Sequence, residues 1–163
     1  MVSGAAAARY AVGTFFKEIA MGAWGTGLFE NDEASDVAAM LQDAKSIKPA
    51  LKFSEEHEIS GKDGQPYLQA DSCYGILVAA TVWLAKLGRL PAHLQQELPE
   101  ELSDRLPKIK KPKRKQIAQI QRGMGFVLDP DRSELYQLWE EADPEDFRQW
   151  RERVEALRAA MPG

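Results

Sequence analysis

The sequence predicts an all-α protein, a single-domain bundle of about five to seven helices around one buried central helix at about residues 71–87. Three observations predict this fold class. Apolar side chains recur at the spacing of amphipathic helices along most of the chain. The run 76–84 is apolar on almost every side. No segment of any length alternates between apolar and polar residues, so we expect few strands or none.

Length, charge and cysteine usage narrow the class of protein. The chain has 163 residues, which suits one domain with a substantial core. Its formal net charge is -4, so no overall field favours nucleic acid. The single cysteine, Cys73, cannot form an internal disulfide and lies in an apolar run. We therefore expect a buried, unreactive thiol and a reducing, cytoplasmic location.

Residues 1–20 differ from the rest of the chain. They are small and apolar, with Arg9 and Lys17 as their basic residues. The first interpretation is an upstream start codon that adds an extension to the true beginning, which leaves residues 21–163 as the domain. The alternatives are a weak amphipathic lead helix that docks on the domain, and a cleaved export signal, although Arg9 interrupts the apolar block that a signal needs.

The segment 21–32 organises the N-terminal part of the domain. Closely spaced glycines separate Trp24 from Phe29, and Asn31 and Asp32 follow. Large aromatic side chains are usually buried. Either Asn31 or Asp32 can cap a following helix by accepting a hydrogen bond from a free backbone N–H. We expect a tight segment that packs near the start of the central helix.

This segment also resembles the opening of a family of small bacterial proteins of unknown function. The matching residues are Met21, Gly22, Trp24, Gly25, Gly27, Phe29, Asn31, Asp32, Ala34 and Asp36. Residues 67–71 and the C-terminal Leu-Asp-Pro and Leu-x-x-Leu-Trp-Glu stretches are similar too. This chain has Val37 where family members often have Trp, and Gln69 where they usually have Glu. The resemblance implies an α-helical domain and brings no activity with it.

Two helices and a loop should follow. A helix over residues 32–44 would bury Ala34, Val37, Ala38 and Leu41 on one face. A shorter helix is predicted over residues 46–56, since Pro49 is tolerated in a first turn. Residues 60–66 are rich in glycine and polar side chains, which is typical of a loop.

The central helix is predicted over residues 71–87. Its apolar part is shorter than the roughly 20 residues that a membrane span needs, so the helix should be buried in protein. Gly88 is in the right place to end it. A Leu-Pro pair then recurs every eight residues, at positions 90, 98 and 106. Because proline suits the start of a helix and breaks its interior, we expect two brief helical turns here.

Three helices should close the chain. The first, over residues 112–128, places Ile117, Ile120, Met124 and Val127 on one face. Gly123 and Gly125 each weaken that helix, so we expect a close contact with another helix there. Ser133 can cap the next helix and Asp143 the last one.

A basic run precedes these helices and has two interpretations. It contains Lys108, Lys110, Lys111, Lys113, Arg114 and Lys115. The first interpretation is a solvated loop whose charge is balanced by acids just upstream. The second is an anion or nucleic-acid patch at Lys110, Lys111, Lys113 and Arg114. No aromatic residue is interleaved, so stacking on single-stranded bases is not encoded.

A second candidate site is an acidic rim. It would consist of Trp24, Asn31, Asp32, Asp36 and Asp71, if the first helix and the central helix begin side by side. Such a rim could bind a cation or hold an acid and a base at raised pKa. The alternative is that these polar residues only cap helices and occupy their first turns.

The motifs of common enzymes are missing from the sequence. The two histidines, His57 and His93, lie in no metal-binding frame, and we expect no metal site and no cofactor. No nucleophile elbow or phosphate loop occurs. By elimination, the sequence favours a non-enzymatic module that binds another protein, and one specific form of this hypothesis is an inhibitor of the immunity or antitoxin kind. The alternatives are an enzyme or small-ligand binder that uses the acidic rim, and, as a minor one, nucleic-acid binding through the basic run. We expect no membrane association.

Overall fold

The computed structural model describes Ala23 and residues 25–163. Residues 1–20, Met21, Gly22 and Trp24, which carry the predicted extension and part of the predicted rim, lie outside the described residues. The described elements, in chain order, are α1 (Asp32–Leu41), α2 (Lys48–Glu56), β1 (Glu58–Ser60), β2 (Pro66–Leu68), α3 (Ala70–Lys86), α4 (Ala92–Gln95), α5 (Glu100–Arg105), a 3-10 turn (Leu106–Lys108), α6 (Arg114–Val127), α7 (Glu134–Glu140) and α8 (Pro144–Ala160).

The predicted all-α class is confirmed. The described residues form eight α-helices, against about five to seven expected, because both Leu-Pro turns become short helices. The part of the chain from residue 25 onward contains no helix that is both long and apolar enough to cross a membrane.

Helix α1 forms as its sequence pattern predicts, and it ends earlier than predicted. Asn31 caps it by accepting a 2.7 Å hydrogen bond from the N–H of Ala34. The apolar face expected for this helix is buried. The helix stops at Leu41 and not at residue 44. The carbonyl of Ala44 instead accepts hydrogen bonds from the guanidinium of Arg105, at 3.1 and 2.9 Å.

The structure has a small β-hairpin around the predicted 60–66 loop, and the ends of that loop belong to its two strands. Strands β1 and β2 pair antiparallel, with Ile59 opposite Tyr67, and Gly64 turns the chain between them at φ 78°. The N–H of Leu68 also donates to the carbonyl of Arg132 at 2.8 Å. Each strand has three residues, which is too short for alternation to show in the sequence.

Helix α3 is the buried centre of the molecule, as predicted. All its side chains from Ser72 to Leu84 are buried. Helices α1, α2, α6, α7 and α8 all pack against it. Gly88, with φ 69°, follows its end. The approach of α2 is close, because a Cβ on Gly75 would lie 2.7 Å from the carbonyl oxygen of Ala50.

The Leu-Pro repeat forms two brief helices, as expected. Pro91 and Pro99 lie directly before the short helices α4 and α5, whose leucines Leu94 and Leu102 are fully buried. Both short helices are therefore held by one leucine each, inserted into the core.

The three closing helices confirm most of the predicted pattern. Ser133 caps α7 and Asp143 caps α8 through their side-chain oxygens. Trp139 and Trp150 stack with ring centroids 6.1 Å apart. The predicted close contact occurs at Gly123, where a Cβ would lie 2.6 Å from Cδ1 of Ile76.

The glycine-rich segment before α1 is held by residues far along the chain. The N–H of Leu28 donates to Glu97 Oε1 at 2.9 Å, and Arg153 on α8 donates to the same carboxylate. Thr26 donates to Gln149 Oε1 at 3.0 Å and accepts from Arg153 at 3.2 Å. Leu28 and Phe29 are buried.

Candidate functional site

The residues of the predicted acidic rim have different environments. Asn31 is buried and acts as the cap of α1, and it also donates to the carbonyl of Leu28 at 3.4 Å. Asp32 and Asp36 are exposed on α1. Asp71, in the first turn of α3, is half-buried, and its Oδ2 lies 3.5 Å from Nε2 of His57. Trp24 is outside the described residues. Asn31 therefore follows the capping interpretation.

Glu33, which the sequence analysis did not single out, lies among these acids. Burial raises the pKa of the Glu33 carboxyl, and the charges of Asp71, Asp32 and Asp36 raise it further, against a hydrogen bond from its own backbone N–H. The charge of Asp71 can act on Glu33 because α1 and α3 pack together. Glu33 is therefore a partly buried carboxyl in an acidic surrounding at the start of α1.

A tyrosine on the central helix joins this group. Tyr74 is only 2% exposed, and its hydroxyl has no hydrogen-bond partner among the described residues. The same holds for the enclosed Oε2 atom of Glu33. Burial raises the pKa of Tyr74, and the charges of Glu33, Cys73 and Asp71 add to the effect. The structure thus encloses two polar atoms without partners on these two packed helices, which is uncommon in folded proteins.

His57 is the neighbour of Asp71 among the described residues with a side chain that can carry a positive charge. Its Nδ1 lies 2.8 Å from the carbonyl oxygen of Phe53, which accepts a hydrogen bond if the proton is on Nδ1. The Phe53 and His57 rings lie 4.4 Å apart between centroids. Within residues 25–163, no three His, Cys, Asp or Glu side chains are grouped so that they could hold a metal ion.

The basic run is fully open to solvent. All its charged side chains are exposed, and none makes a hydrogen bond or ion pair with other described residues. They belong to Lys108, Lys110, Lys111, Lys113, Arg114 and Lys115. The acids upstream do not balance this run through contacts. Glu97 is engaged by Leu28 and Arg153, and Glu100, Glu101 and Asp104 are exposed without an ion pair to it.

The structure adds two lysines to this run from a distant part of the chain. The N–H of Lys110 donates to the carbonyl of Lys45 at 2.8 Å, and Lys48 begins α2 just beyond. Both lysines have exposed, unpaired side chains. We call the combined surface the basic face; its members are Lys45, Lys48, Lys108, Lys110, Lys111, Lys113, Arg114 and Lys115.

Two helices begin at the basic face. Lys110 bonds to Lys45 just before the two helices, and Gln119 lies 3.0 Å from Glu55 further along them, so α2 and α6 run side by side in the same direction. Their N-terminal ends therefore lie at the same end of the molecule. Neither helix has an acidic residue in its first turn. The partial positive charge of each helix start consequently adds to the charge of the lysines.

A cleft of about 640 Å³ lies between the β-hairpin and the turn before α7. Tyr67 donates a 2.9 Å hydrogen bond to Gln137 across it. Arg132 holds both carboxylate oxygens of Asp63 at 2.8 and 2.6 Å, which lowers the pKa of Asp63 to about 2. Its charged lining residues are Lys62, Asp63, Asp131 and Arg132, which carry both signs, so the cleft favours neither a cation nor an anion.

Cys73 is a structural residue. Its side chain is fully buried, and burial raises the pKa of its thiol to about 12. The thiolate, which is the reactive form, is therefore suppressed at neutral pH, as the sequence analysis expected.

Four residues were not predicted from the sequence: Glu33 and Tyr74 near the acidic rim, and Lys45 and Lys48 in the basic face. Glu33 follows Asp32 in a first helical turn, where an acid is ordinary. Tyr74 lies in the apolar central helix, where an aromatic residue suggests core packing. Only Lys45 and Lys48 offered a signal, because they lie around the start of a predicted helix whose first turn contains no acid.

The comparisons with known proteins identify a family and no activity. A family described as "Domain of unknown function (DUF4259)" matches residues 22–153. No curated protein shows a significant match to the chain, and no solved structure does. The matched region includes the basic face, the β-hairpin and the group around Glu33. Because the match covers most of its length, the chain belongs to the DUF4259 family, a domain of unknown function.

Proposed function

We propose that this protein is a non-enzymatic binding module that docks on an acidic surface of another protein through the basic face. The observation that carries the proposal is the concentration of exposed, unpaired lysines at the place where two helices begin. The whole chain has a net charge of -4, so the remainder of the molecule is more acidic still. Such separation of charge steers and orients the approach of a partner of opposite sign.

The charge distribution favours a protein partner over a nucleic acid. A nucleic acid presents a long line of phosphates, and the acidic remainder of this chain would repel whatever extends beyond the basic face. No aromatic side chain lies among the lysines to stack on bases. An acidic protein surface of limited size meets neither difficulty.

A more specific form of the proposal is an inhibitor of the immunity or antitoxin kind that acts in the cytoplasm. Small size, net acidity and a helical fold support it, as an analogy at the level of the fold. The single buried cysteine supports the cytoplasmic location, because that compartment keeps thiols reduced.

The proposal can be tested with two double variants that change the net charge equally. One is Lys111→Glu with Lys113→Glu, within the basic face. The control is Lys62→Glu with Arg89→Glu, two exposed cations elsewhere that form no ion pair with other described residues. Fluorescence anisotropy would follow the binding of labelled poly-glutamate and of a labelled DNA duplex at several salt concentrations.

We expect the protein to bind poly-glutamate at low salt and to release it as salt rises. The basic-face variant should bind about tenfold or more weakly, and the control should stay close to the original. Equal losses in both variants would show a mere effect of net charge and contradict the proposal. Tighter binding to the DNA duplex than to poly-glutamate would favour the nucleic-acid alternative instead.

A further inference from the structure

The hairpin strand β1 has one free edge. At the end of its pairing with β2, the N–H of Gly61 donates to the carbonyl of Gln65 at 2.7 Å. Bonded and non-bonded positions alternate along an antiparallel pair, so the backbone groups of Ile59 are directed at β2. The N–H and C=O groups of Glu58 and Ser60 are directed away from it. No described residue pairs with these outward groups.

The pairing of β2 agrees with this orientation. Leu68 lies opposite Glu58, and its N–H donates away from β1, to the carbonyl of Arg132 at 2.8 Å. Pro66, which has no N–H, lies opposite Ser60. Both outward residues of β1 thus keep a donor and an acceptor that no described residue uses. An unpaired strand edge of this kind is a template for one more strand.

A cavity opens on each face of β1. One is the cleft of about 640 Å³ on the face of Ile59 and Tyr67, and the other, of about 500 Å³, lies on the face of Glu58. Ile59 and Ser60 line both cavities. Successive side chains of a strand point to opposite faces, so those of an added strand would enter the two cavities alternately.

The two faces favour different side chains. On the first, Ile59 is 46% exposed and lies opposite Tyr67, so an apolar residue of an added strand would bury it. On the second, Glu58 lies 3.6 Å from Arg122, whereas Glu55 has no cationic partner among the described residues. This face therefore has one carboxylate in excess, and it favours a lysine or an arginine.

We propose that the free edge of β1 binds an extended segment of another protein that pairs antiparallel with it. The segment has an apolar residue opposite Ile59, followed directly by a lysine or arginine opposite Glu58. Antiparallel pairing lets the segment exchange two hydrogen bonds with Glu58 and two with Ser60. This edge shares no residue with the basic face and selects the opposite charge, so the two proposals are independent.

Amide hydrogen exchange measured by NMR tests the pairing on the full chain. The probe is the blocked pentapeptide Thr-Thr-Val-Lys-Thr. In the free protein, the amides of Glu58 and Ser60 should exchange rapidly, and that of Ile59 slowly, since it is bonded to β2. Peptide at ten times its dissociation constant should slow exchange at Glu58 and Ser60 about tenfold and leave Ile59 unchanged.

Matched controls separate backbone pairing from charge. A peptide N-methylated at its lysine keeps the charge and loses the N–H opposite Glu58, so it should bind about tenfold or more weakly. A peptide with glutamate in place of lysine should also bind more weakly. Glu55→Gln should weaken binding of the lysine peptide, whereas Glu140→Gln, at an exposed position on α7, should not.

Several results would each overturn the proposal. Equal binding of the N-methylated and unmethylated peptides would exclude strand pairing, and failure of the lysine peptide to bind would exclude the site. Slow exchange of Glu58 and Ser60 in the free protein at every concentration would show that another segment of this chain occupies the edge. Protection that grows with protein concentration would show that a second copy does. None of these outcomes bears on poly-glutamate binding at the basic face.

Discussion

Asn31, a residue of the predicted acidic rim, has a structural role that its own side-chain hydrogen bonds explain. Its side chain accepts from the N–H of Ala34 and donates to the carbonyl of Leu28, and it is buried. We expect Asn31→Ala to lower the free energy of unfolding by about 0.5–2 kcal/mol, because a helix cap is lost. Urea denaturation measures this. Asn31→Ser keeps a capping oxygen and should recover most of the loss. Equal losses in both variants would show that capping is not its main contribution.

Single residues were predictable where their role is set by close neighbours in the sequence. Ser133 and Asp143 were identified as caps, and Asn31 was one of two candidates with Asp32, since capping depends on the next three residues. The environments of Glu33 and Tyr74 were not predictable, because they are created only when two helices pack. Whether a polar atom lacks a partner depends on all its neighbours in space.

The contact between α3 and α6 depends on the absence of a side chain at Gly123. A Cβ there would lie 2.6 Å from Ile76, inside a packed core. Overpacking of this kind costs about 1–3 kcal/mol, and the better helix propensity of alanine offsets up to about 1 kcal/mol. Gly123→Ala should therefore lower the free energy of unfolding.

Gly125, two residues further along α6, provides the matched control. A Cβ there would have Arg158 Nη2 as its nearest neighbour, at an ordinary 3.7 Å. Gly125→Ala should therefore stabilise the protein by up to about 1 kcal/mol, through helix propensity alone. Thermal and urea denaturation of both variants measure the two signs. A stabilising Gly123→Ala would mean that Ile76 moves aside without cost.

Among the elements, the long helices were predictable and the hairpin was not. The apolar spacing of α1, α6 and α8 extends over several turns and marks one buried face each, and α3 is apolar on almost every side. The strands have three residues each, and β2 is held partly by the carbonyl of Arg132, from a distant turn. That pairing leaves no periodic trace in the sequence. Only part of the basic face was predicted from the sequence, because its lysines come from two separate segments that meet in the fold.

One hydrophobic cluster runs through the molecule from Ala23 to Leu157. Because all the long helices share it, we expect unfolding in urea to be a single cooperative transition. Far-UV circular dichroism would follow the helices, and fluorescence would follow the tryptophans, which include Trp83 on α3 and Trp150 on α8. The two curves should coincide. Separate midpoints would show that the C-terminal helices melt independently of the centre.

The carboxylate of Glu97 joins three remote stretches, since Leu28 and Arg153 both donate to it. The amide proton of Leu28 belongs to an irregular segment, where exchange with deuterium is normally rapid. Here that proton is bonded to the half-buried carboxylate of Glu97, which Arg153 on α8 holds in place. Its exchange should therefore be as slow as that of amides in the central helix, although no regular element contains it.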